Sequence, residues 1–221
     1  LLMNQASNGH VVGNVVRNCT NQGIQFSGWS GKNFTAFAAH SLLIEFNEVH
    51  GVHGGAIWGT TATNVTIRRN RVFGSGDIGI DLENCRDSAI ESNTVVGKFN
   101  ANTAAFLSCR NVSIVDNTVL MTDGTGVHGY GTTCSGCKPC VGIWLTPHNS
   151  ERGNIPYISD SITVERNTIG VNDTVKRVGL GVESGTNIRL RNNTLSDNAT
   201  LEVFPGASIA VDEAGSVRPL A

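Results

Sequence analysis

The sequence predicts an all-β solenoid, a parallel β-helix of stacked coils, and three observations carry that prediction. The first is a recurring asparagine with an apolar residue three positions before it and another two after it. The copies are Ile44…Asn47…Val49, Ile67…Asn70…Val72, Ile90…Asn93…Val95, Ile114…Asn117…Val119, Val164…Asn167…Ile169 and Leu190…Asn193…Leu195, with a looser one at Val11…Asn14…Val16. Successive asparagines lie 33, 23, 23, 24, 50 and 26 residues apart. A repeat of that length built from short β-type runs stacks into about seven coils rather than closing into a globule. The second observation is strict alternation around each asparagine: Val65, Ile67, Asn70 and Val72 face one way, Thr66 and Arg68 the other. Period two marks a strand with one buried face. The third is a further strand roughly ten residues on, at Gly23–Phe26, Ala56–Trp58, Gly79–Leu82, Val141–Leu145 and Gly179–Val182. These strands are too close for helical crossovers, so parallel pairing must run between coils.

Composition agrees. In 221 residues the hydrophobic share is 39%, the charged share 15%, and 26 are glycine, which suits short strands and tight turns and argues against disorder. The net charge is −2, with the basic residues scattered; a nucleic-acid binder would show a positive stripe, so no nucleic-acid partner is expected. No apolar run reaches the ~18 residues of a membrane span. The chain starts at Leu1 inside the pattern and reads as a piece of a longer or processed protein. A single domain over 1–221 is expected, with an insertion loop at about 121–141 and an irregular connection at about 146–160. Oligomeric state is not legible.

The asparagines fall where the chain bends between strands, and stacked amides can satisfy backbone groups that a bend leaves unpaired. Their expected role is structural. One position outward, Glu45, Arg68 and Glu91 alternate in sign from coil to coil, a surface ladder that fixes register.

The stretch Asn70–Leu82 resembles, with one extra residue, the unit N-x-V-x-x-x-x-x-G-I-x-L of the right-handed parallel β-helix repeat family, and the likeness runs from Val11 to Val211. That family includes pectate lyases, polygalacturonases, mannuronan epimerases, phage tailspikes and a periplasmic copper-protein accessory group. The resemblance implies a right-handed, single-stranded parallel β-helix, a polysaccharide partner, and a secreted or periplasmic location. It implies no particular reaction. The Asp-Pro-His-Asp run of epimerases is echoed by Thr146-Pro147-His148-Asn149, which lacks both carboxylates. Neither a lyase-type calcium cluster nor a hydrolase-type set of clustered aspartates is present.

Counting eleven residues past three asparagines reaches Gln25, Trp58 and Asp81. With Ala105, Trp144 and Gly181 they should form one outward column, two indoles flanking a carboxylate across about 14 Å. Such a column suits a sugar chain laid across the coils. Glu83, Thr146 and Glu183 make the neighbouring column; Asp81 and Glu83 share a strand and a face, so like-charge crowding can hold one protonated as a general acid. The alternative is tryptophans packed beneath insertion loops and solvated carboxylates. In the turns of adjacent coils, His53 and Asp77 could form an oriented imidazole, or His53 is simply solvated. The candidate catalytic residues are Asp81, Glu83, His53 and Asp77, and the candidate substrate-binding residues Gln25, Trp58, Trp144 and Glu183.

The insertion holds His128, Tyr130 and Cys134-x-x-Cys137-x-x-Cys140. This run reads as a disulfide or structural-thiol staple; zinc or an iron–sulfur cluster is the alternative, with His128 or His148 as a fourth ligand. Cys85 and Cys109 share a column in adjacent coils and form either a disulfide or a buried thiol stack. No metal or cofactor is assigned. The leading function is a carbohydrate-active lyase, hydrolase or epimerase at an outward groove. The alternatives are a non-catalytic polysaccharide-binding or adhesion module and, behind it, a periplasmic metal-handling protein.

Overall fold

The computed structural model describes residues 1–28, 37–97, 101–122, 141–146, 158–172, 177–204, 207–211 and 217–219. The first coil contains β1 (Leu2–Asn4), β2 (His10–Val12) and β3 (Val15–Arg17). The second holds β4 (Ile24–Ser27), β5 (Ala39–Glu45) and β6 (Glu48–Val52), the third β7 (Ile57–Thr60), β8 (Ala62–Arg68) and β9 (Arg71–Ser75). The fourth has β10 (Ile78–Glu83), β11 (Arg86–Glu91) and β12 (Thr94–Gly97), the fifth β13 (Ala101–Phe106), β14 (Arg110–Val115) and β15 (Thr118–Thr122). The sixth has β16 (Val141–Thr146), β17 (Asp160–Glu165) and β18 (Thr168–Asn172), the seventh β19 (Arg177–Val182), β20 (Gly185–Arg191) and β21 (Asn193–Leu195). Strands β22 (Ala199–Val203), β23 (Ala207–Val211) and β24 (Val217–Pro219) close the stack.

Each coil contributes one strand to each of three parallel sheets of eight strands: sheet A from β1 to β22, sheet B from β2 to β23 and sheet C from β3 to β24. Equivalent residues stand in register, so side chains stack on their own kind. Ile44, Ile67, Ile90, Ile114, Val164 and Leu190 form one inward column, all fully buried. At about 1.5–3 kcal/mol for each buried branched side chain, such columns are the main source of cohesion. One core aromatic, Phe26, depends on a glycine in the next coil: a Cβ on Gly59 would lie 1.8 Å from the Phe26 ring.

The seven bends from sheet B to sheet C among the described residues use the same device. The residue before each ladder asparagine is left-handed: Gly13 (φ 67°), Phe46 (56°), Arg69 (54°), Ser92 (56°), Asp116 (57°), Arg166 (53°) and Asn192 (49°). Non-glycine residues rarely adopt that conformation, and here the asparagine amide stabilises the turn. Asn93 Oδ1 accepts from the backbone N–H and Nδ2 of Asn70, both at 3.0 Å, while its own Nδ2 donates to Ile67 O at 2.9 Å and Asn117 Oδ1 at 3.0 Å. The same pattern links Asn14 to Asn47 and continues to Asn193. A second left-handed column, Asn8, Ser41, Asn64, Asp87, Asn111, Ser161 and Asn187, runs through sheet B. Its side chains are also tied coil to coil, as in Asn111 Nδ2 to Asp87 Oδ1 at 2.8 Å.

The Glu45–Arg68 step of the surface ladder is an ion pair, Arg68 Nε to Glu45 Oε2 at 2.7 Å, which holds the Glu45 carboxyl below its usual range together with His10 Nε2 at 3.0 Å. Cys85 and Cys109 are buried thiols that form no disulfide. Each donates to a backbone carbonyl, Cys85 to Glu83 O at 3.4 Å and Cys109 to Leu82 O at 3.2 Å. Burial pushes the Cys85 thiol well above its ordinary pKa. Between the two arrangements left open for this pair, the structure shows the thiol stack. Cys134, Cys137, Cys140, His128 and His148 lie outside the described residues.

Candidate functional site

The outer face of sheet A carries the candidate residues. Backbone register places Gln25, Trp58, Asp81, Ala104, Trp144, Gly181 and Glu202 in one row across successive coils. The expected small member, Ala105, is not in it: Ala105 registers with Leu82 and Leu145 in the core-facing row. Eleven residues past Asn93 is Ala104, and a one-residue slip in a strand inverts the face. The adjacent row contains Ser27, Thr60 and Glu83 and, further along, Thr146. Thr146 Oγ1 donates a short hydrogen bond to Glu183 Oε2.

Gln25, Trp58 and Trp144 are partly exposed, as expected of a binding row. Asp81 departs from that expectation: it is only 2% exposed. Its row neighbour Ala104 belongs to a small apolar cluster separate from the main core, made of Ile78, Ala101 and Ala104 with Leu107 and Trp144 against it. Asp81 faces the same side as Ala104 and shares this dry surrounding. Its Oδ1 is buried with no hydrogen-bond partner among the described residues. Desolvation lifts the Asp81 carboxyl well above the ordinary 3.8, and the neighbouring charges of Glu83 and Asp77 push it further the same way. A carboxyl so placed holds its proton to higher pH than an ordinary aspartate and can give it up to an oxygen brought against it.

Val52 registers with Ser75, which sets His53 opposite Gly76 and Asp77 opposite Gly54, one residue apart in the register of adjacent coils. His53 is exposed. Asp77 lies near enough to Asp81 to raise its pKa. The turn positions differ by one residue between the two coils, which sequence counting over a glycine-rich turn does not resolve.

Sequence reasoning missed Gln22. Its Oε1 is buried and has no hydrogen-bond partner among the described residues, and it lies 2.7 Å and 2.9 Å from where a Cβ of Gly54 or Gly55 would stand. The Gly54-Gly55 pair beside Trp58 was the available signal, because bare backbone next to an indole leaves room for a neighbour's amide. Asn102 and Thr103 are likewise buried, with carboxamide and hydroxyl unpartnered among the described residues. Among those residues, no three His, Cys, Asp or Glu side chains converge as metal ligands.

Residues 1–146 match the family described as a right-handed beta helix region. The chain belongs to that family. No curated protein matches it by sequence. Among solved structures it is similar to the mannuronan C-5 epimerase AlgE6 A-module of Azotobacter vinelandii, at 12% identity with a TM-score of 0.73, over 100% of this chain and 54% of that one. It is also similar to DFA-IIIase from Arthrobacter chlorophenolicus A6 in complex with DFA-III, at 12% identity and TM-score 0.56, over 98% of this chain and 43% of that one. A third is alginate lyase from Paenibacillus sp. str. FPU-7, at 12% identity and TM-score 0.52, over 83% and 66%. The chain spans about half the length of the first two. These structural neighbours are carbohydrate-active β-helix proteins. At these identities they share the fold, and the described residues include no helix long and apolar enough to cross a membrane.

Proposed function

We propose that this chain is a carbohydrate-active β-helix protein working at the outer face of sheet A, with Asp81 as the proton donor. The observation that carries the proposal is the buried Asp81 carboxyl, whose Oδ1 has no hydrogen-bond partner among the described residues, standing in one row with Trp58 and Trp144. Two indoles three coils apart offer stacking surfaces for sugar rings. Between them the only ionisable group in the row is a carboxyl whose pKa desolvation raises well above the ordinary 3.8. Glu83, two residues further along β10 and on the same face, supplies the second carboxylate. Residues two apart on a strand have Cα atoms about 6.6 Å apart, and an acid and a base whose carboxyl groups lie ~6.5–9.5 Å apart leave room for a water between them. The reaction this favours is glycoside hydrolysis with inversion: Asp81 protonates the leaving oxygen while Glu83 takes a proton from water. Polysaccharide as substrate makes a secreted or periplasmic location part of the same reading.

The test is a glycan panel screened for turnover and binding with the native chain, Asp81→Asn, Glu83→Gln, Trp58→Ala and Trp144→Ala. An enzyme loses turnover in both carboxyl variants while binding persists, and loses affinity in the indole variants by about 0.5–1.5 kcal/mol each. If Asp81→Asn and Glu83→Gln leave turnover intact, the assignment of acid and base is wrong. Binding through the indoles with no turnover on any polymer would favour the second reading, a non-catalytic polysaccharide-binding module.

A further inference from the structure

We infer that the sheet A site takes an uncharged, hydroxyl-rich sugar chain and discriminates against polyuronates. The inference rests on the proposed carbohydrate site and adds the charge class of its substrate. Two of the similar proteins are named for mannuronan and alginate, polymers with one carboxylate on every sugar. A surface that grips such a polymer needs cations or metal ions along the track, because each substrate carboxylate entering a dry site must be paired.

The described face has the opposite character. Its outward rows carry Asp81, Glu83, Glu183 and Glu202, with Asp77 at the edge. Among the described strands of sheet A, Arg177 is the one Arg or Lys, and it opens β19, four residues before Gly181 and three coils beyond Asp81. No three acidic, His or Cys side chains among the described residues converge to hold a bridging metal.

What the row does offer suits polyols. Asp81 Oδ1 is a buried acceptor with no donor among the described residues, and Gln22 Oε1 at the edge beside Trp58 is another. Both classes of sugar bring O–H donors, but each uronate also brings a carboxylate that would be desolvated beside acidic groups. A hydroxyl group at Asp81 would complete its hydrogen bonding without adding a charge to a site that already disfavours one. Specificity of this kind comes as much from repelling the charged chain as from gripping the neutral one.

The experiment pairs polymers that differ only in charge. Binding is measured by affinity electrophoresis and calorimetry for polygalacturonate and its fully methyl-esterified form, for alginate and its carboxyl-reduced form, and for neutral glucans, mannans, xylans and fructans. Each is run with and without calcium. The expected result is binding to at least one neutral polymer, weakened about 2- to 13-fold in Trp58→Ala and retained in Asp81→Asn, whose amide oxygen keeps the acceptor. No polyuronate should bind within about tenfold of that affinity, a margin equivalent to about 1.4 kcal/mol. Polyuronate binding that Trp58→Ala weakens, with or without calcium, would overturn the charge class and leave the carbohydrate site standing. If no polymer binds in a way that depends on Trp58 or Asp81, the site itself falls, and this inference with it.

Discussion

Replacing Asn93 by alanine removes one rung from the middle of the amide ladder, and its consequence can be worked bond by bond. Asn93 Oδ1 is the acceptor for the buried backbone N–H of Asn70, and alanine leaves that N–H without it. Asn70 Nδ2 also loses Asn93 Oδ1 but keeps Ile44 O at 2.9 Å and Arg68 O at 3.0 Å. On the other side, Asn117 Oδ1 still accepts from the Asn93 backbone N–H at 2.9 Å, which the substitution does not touch. The damage is therefore one orphaned buried donor, about 2 kcal/mol, plus about 1 kcal/mol for the lost bonds of the amide itself. Asn14→Ala is the control. Asn14 Nδ2 donates to Val12 O and Asn47 Oδ1, and Asn47 Oδ1 keeps the Asn14 backbone N–H, so no orphan is made and the cost should stay below about 1 kcal/mol. Urea unfolding of the three proteins gives the ranking, and amide hydrogen exchange adds a local readout: protection should fall at Asn70 in Asn93→Ala. Equal costs for the two substitutions, or undiminished protection at Asn70, would refute the directional ladder.

Three further outcomes follow from particular contacts. Asp81 has a native pKa above its ordinary 3.8, so unfolding releases its proton at any pH between those two values. The contribution of Asp81 to stability should be fully present below 3.8 and be lost as pH rises towards the native pKa, by about 1.4 kcal/mol for each pH unit. Asp81→Asn should flatten that slope in pH-resolved urea melts, and an unchanged slope would place the carboxyl in water. Gly59→Ala sets a Cβ 1.8 Å from the Phe26 ring and should cost about 1–3 kcal/mol or more; Phe26→Leu in the same chain should recover part of the loss, and a neutral single substitution would show that the coils are not so tightly stacked. Cys85 and Cys109 are buried thiols that form no disulfide, so a thiol reagent followed by peptide mapping should leave both unmodified in the native protein and label both in urea.

Much of the architecture is legible in the residues because a solenoid repeats local geometry. The spacing of Asn47, Asn70 and Asn93, each after an isoleucine at −3 and before a valine at +2, states the coil length, the buried face and the bend at once. Register then follows, since equal coils stack like on like. The row Gln25–Trp58–Asp81 is readable by the same count. Pattern matching puts Ala105 where Ala104 stands, one residue off, and it aligns His53 with Asp77 through a turn whose glycines carry no pattern to count.

The sequence by itself determined the parallel coils, the amide ladder and the strand on which Asp81 and Glu83 share a face. Only the tertiary structure decided that Asp81 is dry, that Ala104 lies beside it, and that Cys85 and Cys109 remain thiols. The physical reason is range. Periodicity reports which way a side chain leaves the backbone, a local property that recurs every coil. Burial of an outward carboxyl depends instead on what packs over it, and neighbours such as Trp58 and Ala104 come beside Asp81 only when separate coils stack.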